Sequence, residues 1–337
     1  MTAGTTYTMT LEAWNTDLDI LNRAPLFGKM FQGASLRFFE HVDIPQAIAA
    51  AAQTAGKYEY AVVCVGTTNE IEFEGFDRDS MDLPGAQAEL IQAVASANPK
   101  TIVVKFSGAP VTMDFLDRVP AVVQAWFPGQ ECGHSVVRIL TGMINPSGHL
   151  PMSWPKKIED NPSFGNFPAE NDIIRYEEGL DIGYRFYDRK ESPVPLFPFG
   201  FKLSYTTFEV TNGLASSTEV SPAGPSGEIT ISCLVKNTGS RQGKVVVQFY
   251  VNMPDTIVGR ARPIKELKAF KKVELAPGQE ENVAVLLDKY AFCIYDAGDS
   301  CWKGLKGVQT VHIGISSEEI STSASFAVPE EFTWTGI

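Results

Sequence analysis

The spacing of apolar residues changes along this chain, and in the first half it is typical of helices that alternate with strands. Asp43 and Pro45 form a helix-start signal, and the Ala-rich stretch behind them ends near Gly56. Residues 61–65 are a short, continuous apolar run, which is typical of a strand buried in a parallel sheet. Four further elements are predicted: a helix from Pro84-Gly85 to Asn98-Pro99, strands over 101–106 and 121–127, and a helix over 129–140. This rhythm predicts an α/β/α sandwich with a mostly parallel sheet.

Beyond Tyr205 the apolar residues alternate with polar ones at period two, which predicts β-strands. The alternating positions are Ile229, Ile231, Cys233 and Val235, then Val245, Val247, Phe249 and Val251, then Val283, Val285 and Leu287. Turn signals over 237–239 and 276–278 separate these runs. Short strands at regular spacing predict a β-sandwich of about 100–130 residues.

Two segments have weaker patterns. Residues 1–40 contain an alternating run over 7–13 and an extended run over 35–40, which is typical of a strand tail or an edge element. Residues 145–204 are rich in proline, glycine and aromatic residues, and their lack of periodicity favours a functional or interdomain loop. The expected domains are a tail over 1–40, an α/β domain over 41–204 and a β-sandwich over 205–337.

The net charge of the chain argues against some classes of binding partner. The 337 residues carry 40 acidic and 28 basic side chains, a formal net charge of −12. Such a surface repels phosphate backbones and anionic lipids, so no nucleic acid and no membrane is expected as a partner. No apolar run reaches the ~20 residues of a membrane span, and the first residues lack a signal-peptide pattern. We therefore expect a cytoplasmic protein.

The cysteine and histidine positions suggest neither disulfides nor a metal centre. Five cysteines are spread thinly along the chain, and only Cys293 and Cys301 are close enough to suggest a hairpin bridge, although free thiols are favoured in a reducing compartment. Cys64 is expected to be a small buried side chain within its strand. The four histidines are scattered and no CxxC or HExxH motif occurs, so a transition-metal site is not expected. No organic cofactor is expected either.

The densest acidic cluster follows the first parallel strand. Its members are Glu70, Glu72, Glu74, Asp77, Asp79 and Asp82. Ligands of α/β sheets bind beyond the carboxyl ends of the strands. Repulsion between crowded carboxylates raises the pKa of at least one of these carboxyl groups. A carboxylic acid kept protonated in this way can serve as a general acid. The alternative is a solvated loop in which Arg78 pairs with Asp77 or Asp79.

A second candidate feature is the stretch from Trp126 to Glu131, which joins the third strand to a helix. The indole of Trp126 could stack on a sugar ring or cap the core, and the residues alone favour the core. No cysteine or serine here has an adjacent base, so a thiol or serine hydrolase is not supported.

These motifs resemble glycoside hydrolase family 3, the β-glucosidase family. The run from Glu72 to Gly85, EFEGFDRDSMDLPG, looks like the acid/base loop of that family. Further motifs agree in order and spacing: ANP at 97–99, SGAPV at 107–111, AWFPGQE at 125–131, NPSGHLP at 145–151, GYRFYD at 183–188, PLFPFG at 195–200 and LSYT at 203–206. NTG at 237–239, VQFY at 247–250 and LAPG at 275–278 resemble its fibronectin type III-like domain, and residues 1–40 resemble the end of a carbohydrate-binding insert.

The resemblance implies site residues. The general acid/base role falls on Glu74, with Glu72 as the close competitor, since residues 70, 72 and 74 share a face if the segment is extended. Asp77, Arg78 and Trp126 are the expected substrate contacts. Retaining hydrolysis also needs a nucleophile about 5–5.5 Å from the acid, and the family carries it on a preceding (β/α)₈ barrel of ~250 residues, which this sequence lacks.

Three functions stay open at this point. The first is the C-terminal part of a β-glucosidase that works on a small neutral β-glucoside with a barrel-containing partner chain. The second is a repurposed homo-oligomeric enzyme, a dimer that uses the same glutamate for isomerisation or cyclisation of a neutral metabolite. The third is a non-catalytic sugar-binding or scaffold module.

Overall fold

The computed structural model describes residues 42–75, 77–220, 227–254 and 262–335. The strand tail predicted over residues 1–40 lies outside this part of the chain. The chain forms two compact units, of which the first ends at Phe127 and the second begins at Pro128. The domain bounds expected from the sequence remain predictions, since compactness and sequence family are different criteria.

The first unit has the predicted order of helices and strands. Its elements are α1 (Ile44–Ala55), β1 (Ala61–Gly66), α2 (Gln87–Ala97), β2 (Thr101–Phe106) and β3 (Ala121–Gln124). The carboxylate of Asp43 caps α1 by accepting a hydrogen bond from the backbone N–H of Gln46 at 3.0 Å, and Pro45 fits the first turn. The third strand is three residues shorter than predicted, because the backbone turns sharply at Trp126.

The three strands form a parallel sheet in the order β1-β2-β3. Val63 lies beside Val103, which lies beside Val122. Val63, Val103 and Ile91 of α2 are buried, so the apolar runs of the sequence do form the core of this unit.

The opposite side of β1 is open in this structure. Val62 is 48% exposed, and Cys64 is exposed as well. The expectation that Cys64 is buried was therefore wrong. Side chains alternate between the two faces of a strand, and Cys64 lies on the face opposite Val63 and Val65.

The second unit begins with the predicted helix and a long irregular stretch. A 3₁₀ turn over Gly129–Glu131 leads into α3 (Cys132–Leu140), and Gly142 adopts a φ of 71° just beyond its end. The stretch over 145–204 holds only one short 3₁₀ turn (Ile158–Asp160) and α4 (Tyr184–Tyr187) among its described helices.

His149 fastens this irregular stretch to the sandwich. Its Nε2 accepts a hydrogen bond from the backbone N–H of Val246 at 3.2 Å, so the ring proton is on Nδ1, which donates to the carbonyl of Gly200 at 2.8 Å. Burial lowers the pKa of His149 to about 4, against the hydrogen bond to Gly200 that raises it. The imidazole is therefore neutral at physiological pH.

The rest of the second unit is the predicted β-sandwich. Its strands are β4 (Phe208–Ala215), β5 (Ile229–Asn237), β6 (Gly243–Asn252), β7 (Glu266–Leu275), β8 (Glu280–Leu287), β9 (Cys293–Asp296), β10 (Cys301–Gly304), β11 (Gly307–Gly314), β12 (Ile320–Val328) and β13 (Phe332–Trp334). They form antiparallel sheets in the orders β12-β11-β6-β7, β4-β5-β8 and β13-β10-β9. This confirms the fold class, an α/β part followed by an all-β sandwich.

The sandwich core follows the alternation of the sequence. Every second residue of β5 from Ile229 to Val235 is buried, and Val245, Val247 and Phe249 of β6 are buried too. Cys293 and Cys301 are free thiols that pair across the β9–β10 ladder with Gly304 and Asp296, not with each other. No described helix is long and apolar enough to cross a membrane.

Candidate active site

The carboxyl ends of the three parallel strands meet at one edge of the first unit. Gly66 ends β1 there, and the side-chain amide of Gln87 clamps its backbone: Oε1 accepts from the N–H of Gly66 at 2.7 Å and Nε2 donates to its carbonyl at 2.9 Å. A Cβ atom on Gly66 would collide with the carbonyl of Phe106 on β2, so only glycine fits. The acidic loop, residues 68–82, thus starts from a fixed point.

Glu72 is anchored at the base of the acidic loop. Backbone hydrogen bonds from Ile71 and Glu72 to the carbonyl of Thr68 close a turn. Glu72 Oε2 accepts from the hydroxyl of Thr67 at 2.7 Å and from the backbone N–H of Gly108 at 3.2 Å. The carboxylate of Glu72 therefore ties the acidic loop to the segment that follows β2.

Gly108 gives Glu72 the space that it occupies. A Cβ atom at this position would lie 2.7 Å from Glu72 Oε1 and 2.9 Å from a ring carbon of Phe127. The close approach requires glycine, which is what the SGAPV motif supplies.

Glu74 lies two residues further on and is exposed, whereas Glu72 is half-buried. The turn at Thr68 means that the segment is not the extended strand in which residues 70, 72 and 74 would share one face. The two glutamates that the sequence could not separate therefore have different surroundings: one accepts two hydrogen bonds from its own unit, and the other faces outward.

Arg78 and Asp82 hold the far end of the acidic loop. The guanidinium of Arg78 donates to the carbonyls of Pro110 at 3.2 Å and Ser80 at 3.1 Å. The hydroxyl of Thr112 donates to Asp82 at 2.7 Å, and this hydrogen bond is the main reason why the pKa of Asp82 is lowered. Asp82 is therefore not a carboxyl group whose pKa is raised by crowding. Asp77 is exposed on the same loop.

Sequence reasoning missed Lys105, whose side chain is 0% exposed near the end of β2. Its pKa is lowered to about 7, mainly by burial and also by the guanidinium of Arg78, against the carboxylate of Glu72 that raises it. The signal was a single charged residue, a lysine, inside the mostly apolar strand TIVVKF.

Trp126 stands where β3 ends, and it has an unusual backbone. Its φ is 57°, a conformation in which a bulky residue is strained and which is found most often near functional sites. Its side chain is half-buried, and the neighbouring Phe127 is 56% exposed. Gln124, just before the turn, donates to the carbonyl of Ser107 at 2.8 Å and links the ends of β2 and β3.

The structure therefore brings the predicted residues Glu72, Glu74, Asp77 and Arg78 together on one loop after β1. It places Trp126 just beyond β3, on the far side of β2 in the same sheet. Among the described residues, no group of three or more His, Cys, Asp or Glu side chains could hold a metal ion. What the arrangement offers chemically is carboxyl groups at a sheet edge, one of them anchored and one exposed.

Comparison with known proteins identifies the lineage of both parts. The model of the glycosyl hydrolase family 3 C-terminal domain matches residues 3–205, and that of the fibronectin type III-like domain matches residues 245–317. Probable beta-glucosidase H of Aspergillus clavatus is 39% identical over 340 residues, which is 100% of this chain and 40% of that protein. Probable beta-glucosidase I of Aspergillus terreus is 42% identical over 342 residues, 99% of this chain and 40% of that protein.

Comparison with solved structures points to the same family. The β-glucosidase of Kluyveromyces marxianus, determined in complex with glucose, superposes with a TM-score of 0.81 at 39% identity, over 89% of this chain and 35% of that one. The family 3 β-glucosidase of Bifidobacterium adolescentis gives a TM-score of 0.79 at 32% identity, over 86% of this chain and 42% of that one. The chain thus spans about 40% of the length of its curated relatives. It belongs to glycosyl hydrolase family 3, of which it carries the C-terminal domain and the fibronectin type III-like domain.

Proposed function

We propose that this chain supplies the general acid/base half of a retaining β-glucosidase, and that Glu74 is the acid/base. The observation that carries the proposal is the contrast between the two candidate glutamates. Glu72 accepts two hydrogen bonds from its own unit, from Thr67 and from Gly108. Glu74 is exposed two residues later, where it can reach a substrate held by another part of the enzyme.

The chemistry needs two carboxyl groups on either side of the glycosidic bond. The acid form of Glu74 protonates the leaving oxygen while the bond from C1 to that oxygen breaks, and an aspartate of the barrel forms an ester to C1. The carboxylate of Glu74 then takes a proton from the water that attacks C1, and the aspartate leaves. Both carboxyl groups return to their starting forms, and the sugar keeps its configuration.

Three residues are proposed as substrate contacts or supports of the site. Asp77 is exposed on the acidic loop and Trp126 lies at the end of β3, so both suit a β-glucoside: the carboxylate as an acceptor for sugar hydroxyls, the indole as a stacking surface. Arg78 keeps the loop in place through Pro110 and Ser80 and can turn its charge toward substrate hydroxyls.

The second unit supports the proposal of a barrel-bearing partner. Seven large apolar side chains between residues 164 and 182 are exposed: Phe164, Phe167, Ile173, Ile174, Tyr176, Leu180 and Ile182. Tyr176 reaches 83%. An exposed apolar set of this size on one segment is typical of a protein–protein interface. The proposed occupant is the catalytic barrel that the family carries elsewhere.

The test is a chimera in which this chain replaces the region of the Kluyveromyces marxianus β-glucosidase that superposes on it. Glu74→Gln should lower kcat on cellobiose by roughly 10²–10⁴-fold, the range of a lost general acid. The same variant should lose far less of its kcat/KM on 2,4-dinitrophenyl β-glucoside, because kcat/KM reports the first step and that leaving group departs without a proton.

Glu72→Gln is the matched control. It changes an equally charged residue two positions away and removes an anchor, so it should lower both rates by a similar factor. If Glu72→Gln shows the strong dependence on the leaving group and Glu74→Gln does not, the assignment of the acid/base is wrong. If the folded chimera is inactive on both substrates, the proposed function itself fails.

A further inference from the structure

Trp126 keeps a backbone conformation that is unfavourable for a bulky side chain, with a φ of 57°. A residue in this region persists only when the surrounding structure fixes it, and such residues cluster at active sites and ligand clamps. The contacts that fix Trp126 are therefore part of how the site is built. The proposed function does not assign this task to any residue.

The chain is held directly before Trp126 by Gln124, the last residue of β3. Its Nε2 donates to the carbonyl of Ser107 at 2.8 Å and lies 3.4 Å from the hydroxyl of the same residue. Ser107 is 0% exposed, so its carbonyl would not readily find water in place of this partner. The backbone N–H of Ala125 also donates to the carbonyl of Lys105 at 2.8 Å. These hydrogen bonds fix the strand up to the residue at which it turns.

The chain is held directly after Trp126 by Phe127. A ring carbon of Phe127 lies 2.9 Å from the position that a Cβ atom on Gly108 would occupy, so the ring packs on the backbone of Gly108. The residue before Trp126 contacts Ser107 and the residue after it contacts Gly108. Two consecutive residues of the SGAPV motif thus hold the strained residue from both sides.

We propose that Gln124 is a positioning residue, whose hydrogen bond to Ser107 holds Trp126 in its strained conformation and keeps the indole in place for a β-glucoside. The role of Trp126 as a substrate contact rests on the proposed function, but the link from Gln124 to the conformation of Trp126 stands without it. The backbone N–H of Gly108 also donates to Glu72 at 3.2 Å. The turn at Trp126 and the acidic loop are therefore fastened to one short backbone segment.

A second glutamine makes a comparable clamp at the end of β1. Gln87 bonds to both backbone polar groups of Gly66, at 2.7 Å and 2.9 Å. The acidic loop begins just beyond Gly66, whereas Trp126 follows β3 on the far side of β2. Loss of the Gln87 clamp should therefore act on the acidic loop, and loss of the Gln124 clamp should act on Trp126. The pair provides a matched control.

The link is tested on the full chain, without substrate, by fluorine NMR of protein that carries fluorinated tryptophan. The sequence has five tryptophans, and Trp126→Phe identifies the signal of Trp126. In the unmodified chain this signal should be one narrow line. Gln124→Met keeps the length of the side chain but removes the donor, so the signal should broaden or split as the backbone leaves its strained conformation. Gln87→Met should leave it unchanged.

A second readout separates positioning from general structural support. In the chimera, Gln124→Met should raise KM for cellobiose roughly threefold to tenfold, the range of a lost aromatic contact, and should change kcat by less than about twofold. Gln87→Met should instead lower kcat about tenfold, because it displaces the acidic loop that carries Glu74. If Gln124→Met lowers kcat as Gln87→Met does and leaves KM unchanged, the positioning role is refuted.

The inference is also overturned if the Trp126 signal of Gln124→Met matches that of the unmodified chain, or if Gln87→Met changes this signal equally. If Gln124→Met does not fold, Gln124→Glu provides the same test, because an ionised carboxylate has a similar shape and no N–H to donate. An inactive chimera would refute the proposed function, and the fluorine signal of Trp126 would then decide the inference by itself.

Discussion

The two units of this chain handle buried polarity in opposite ways. The sandwich closes its main sheets over an apolar core, and the half-buried imidazole of His149, which joins the irregular stretch to it, is neutral and bonded to backbone groups at both nitrogens. The three-stranded sheet of the first unit instead buries the ionisable side chain of Lys105 and leaves Val62 and Cys64 exposed. The closed apolar core thus lies in the sandwich, whereas the proposed acid/base site lies at the strand ends of the first unit.

The largest expected effect is in the sandwich core. Phe249 is fully buried on β6, so Phe249→Ala removes a ring and leaves a cavity, which should lower the free energy of unfolding by about 3–5 kcal/mol. Phe270 on the neighbouring strand is 67% exposed, and Phe270→Ala should cost less than about 0.5 kcal/mol. Urea unfolding followed through the amide signals of β5 measures both. Equal losses would show that the sandwich is not the closed core described.

The second effect is a pH dependence of the first unit. The pKa of Lys105 is about 7 in the folded chain and 10.5 in the unfolded one, so between these values the unfolded chain binds more protons and stability rises with pH. The gain should be about 2 kcal/mol between pH 7 and 9. It should be absent in Lys105→Met. Urea titration of the Val103 and Val104 amide signals at both pH values measures the difference.

The third effect is the corresponding pH dependence of the second unit, at acidic pH. The pKa of His149 is about 4 when folded and 6.5 when unfolded, so its contribution is present above pH 6.5 and is lost as the pH falls toward 4. The loss should be about 2 kcal/mol between pH 6.5 and 4.5. His149→Gln should flatten this slope, as read from the amide signals of Val246 and Val247. An unchanged slope would mean that another group controls the acid stability of the sandwich.

The smallest effect is at the start of α1. Asp43→Ala removes the carboxylate that caps the helix at Gln46 and should destabilise the first unit by about 1 kcal/mol. Asp114→Ala changes an exposed aspartate of the same unit and serves as the control. The signals of the sandwich should not respond to either substitution. If Asp43→Ala lowered the free energy of unfolding reported by the sandwich signals as well, the two units would unfold together.

Much of the fold could be predicted from the sequence, because its signals are local. The alternation from Ile229 to Val235 and the start signal at Asp43 each depend on residues a few positions apart, and the structure confirms both. Even the position of the acidic loop follows from the strand before it.

The surroundings of the site could not be predicted, because they depend on contacts between distant segments. The hydrogen bond from Gly108 to Glu72 joins residues 36 positions apart. The exposure of Cys64 depends on which face of β1 is covered, and a continuous apolar run does not specify it. The strained φ of Trp126 likewise appears only where the chain must leave β3.

The most direct test of the account is azide rescue of acid/base variants in the chimera. Glu74→Ala should turn over 2,4-dinitrophenyl β-glucoside slowly, because the second step lacks its base. Azide needs no base: it attacks C1 of the glycosyl ester, the aspartate leaves, and we expect a faster rate with β-glucosyl azide as the product. Glu72→Ala should form no such product. Rescue of Glu72→Ala with none for Glu74→Ala would contradict the central claim.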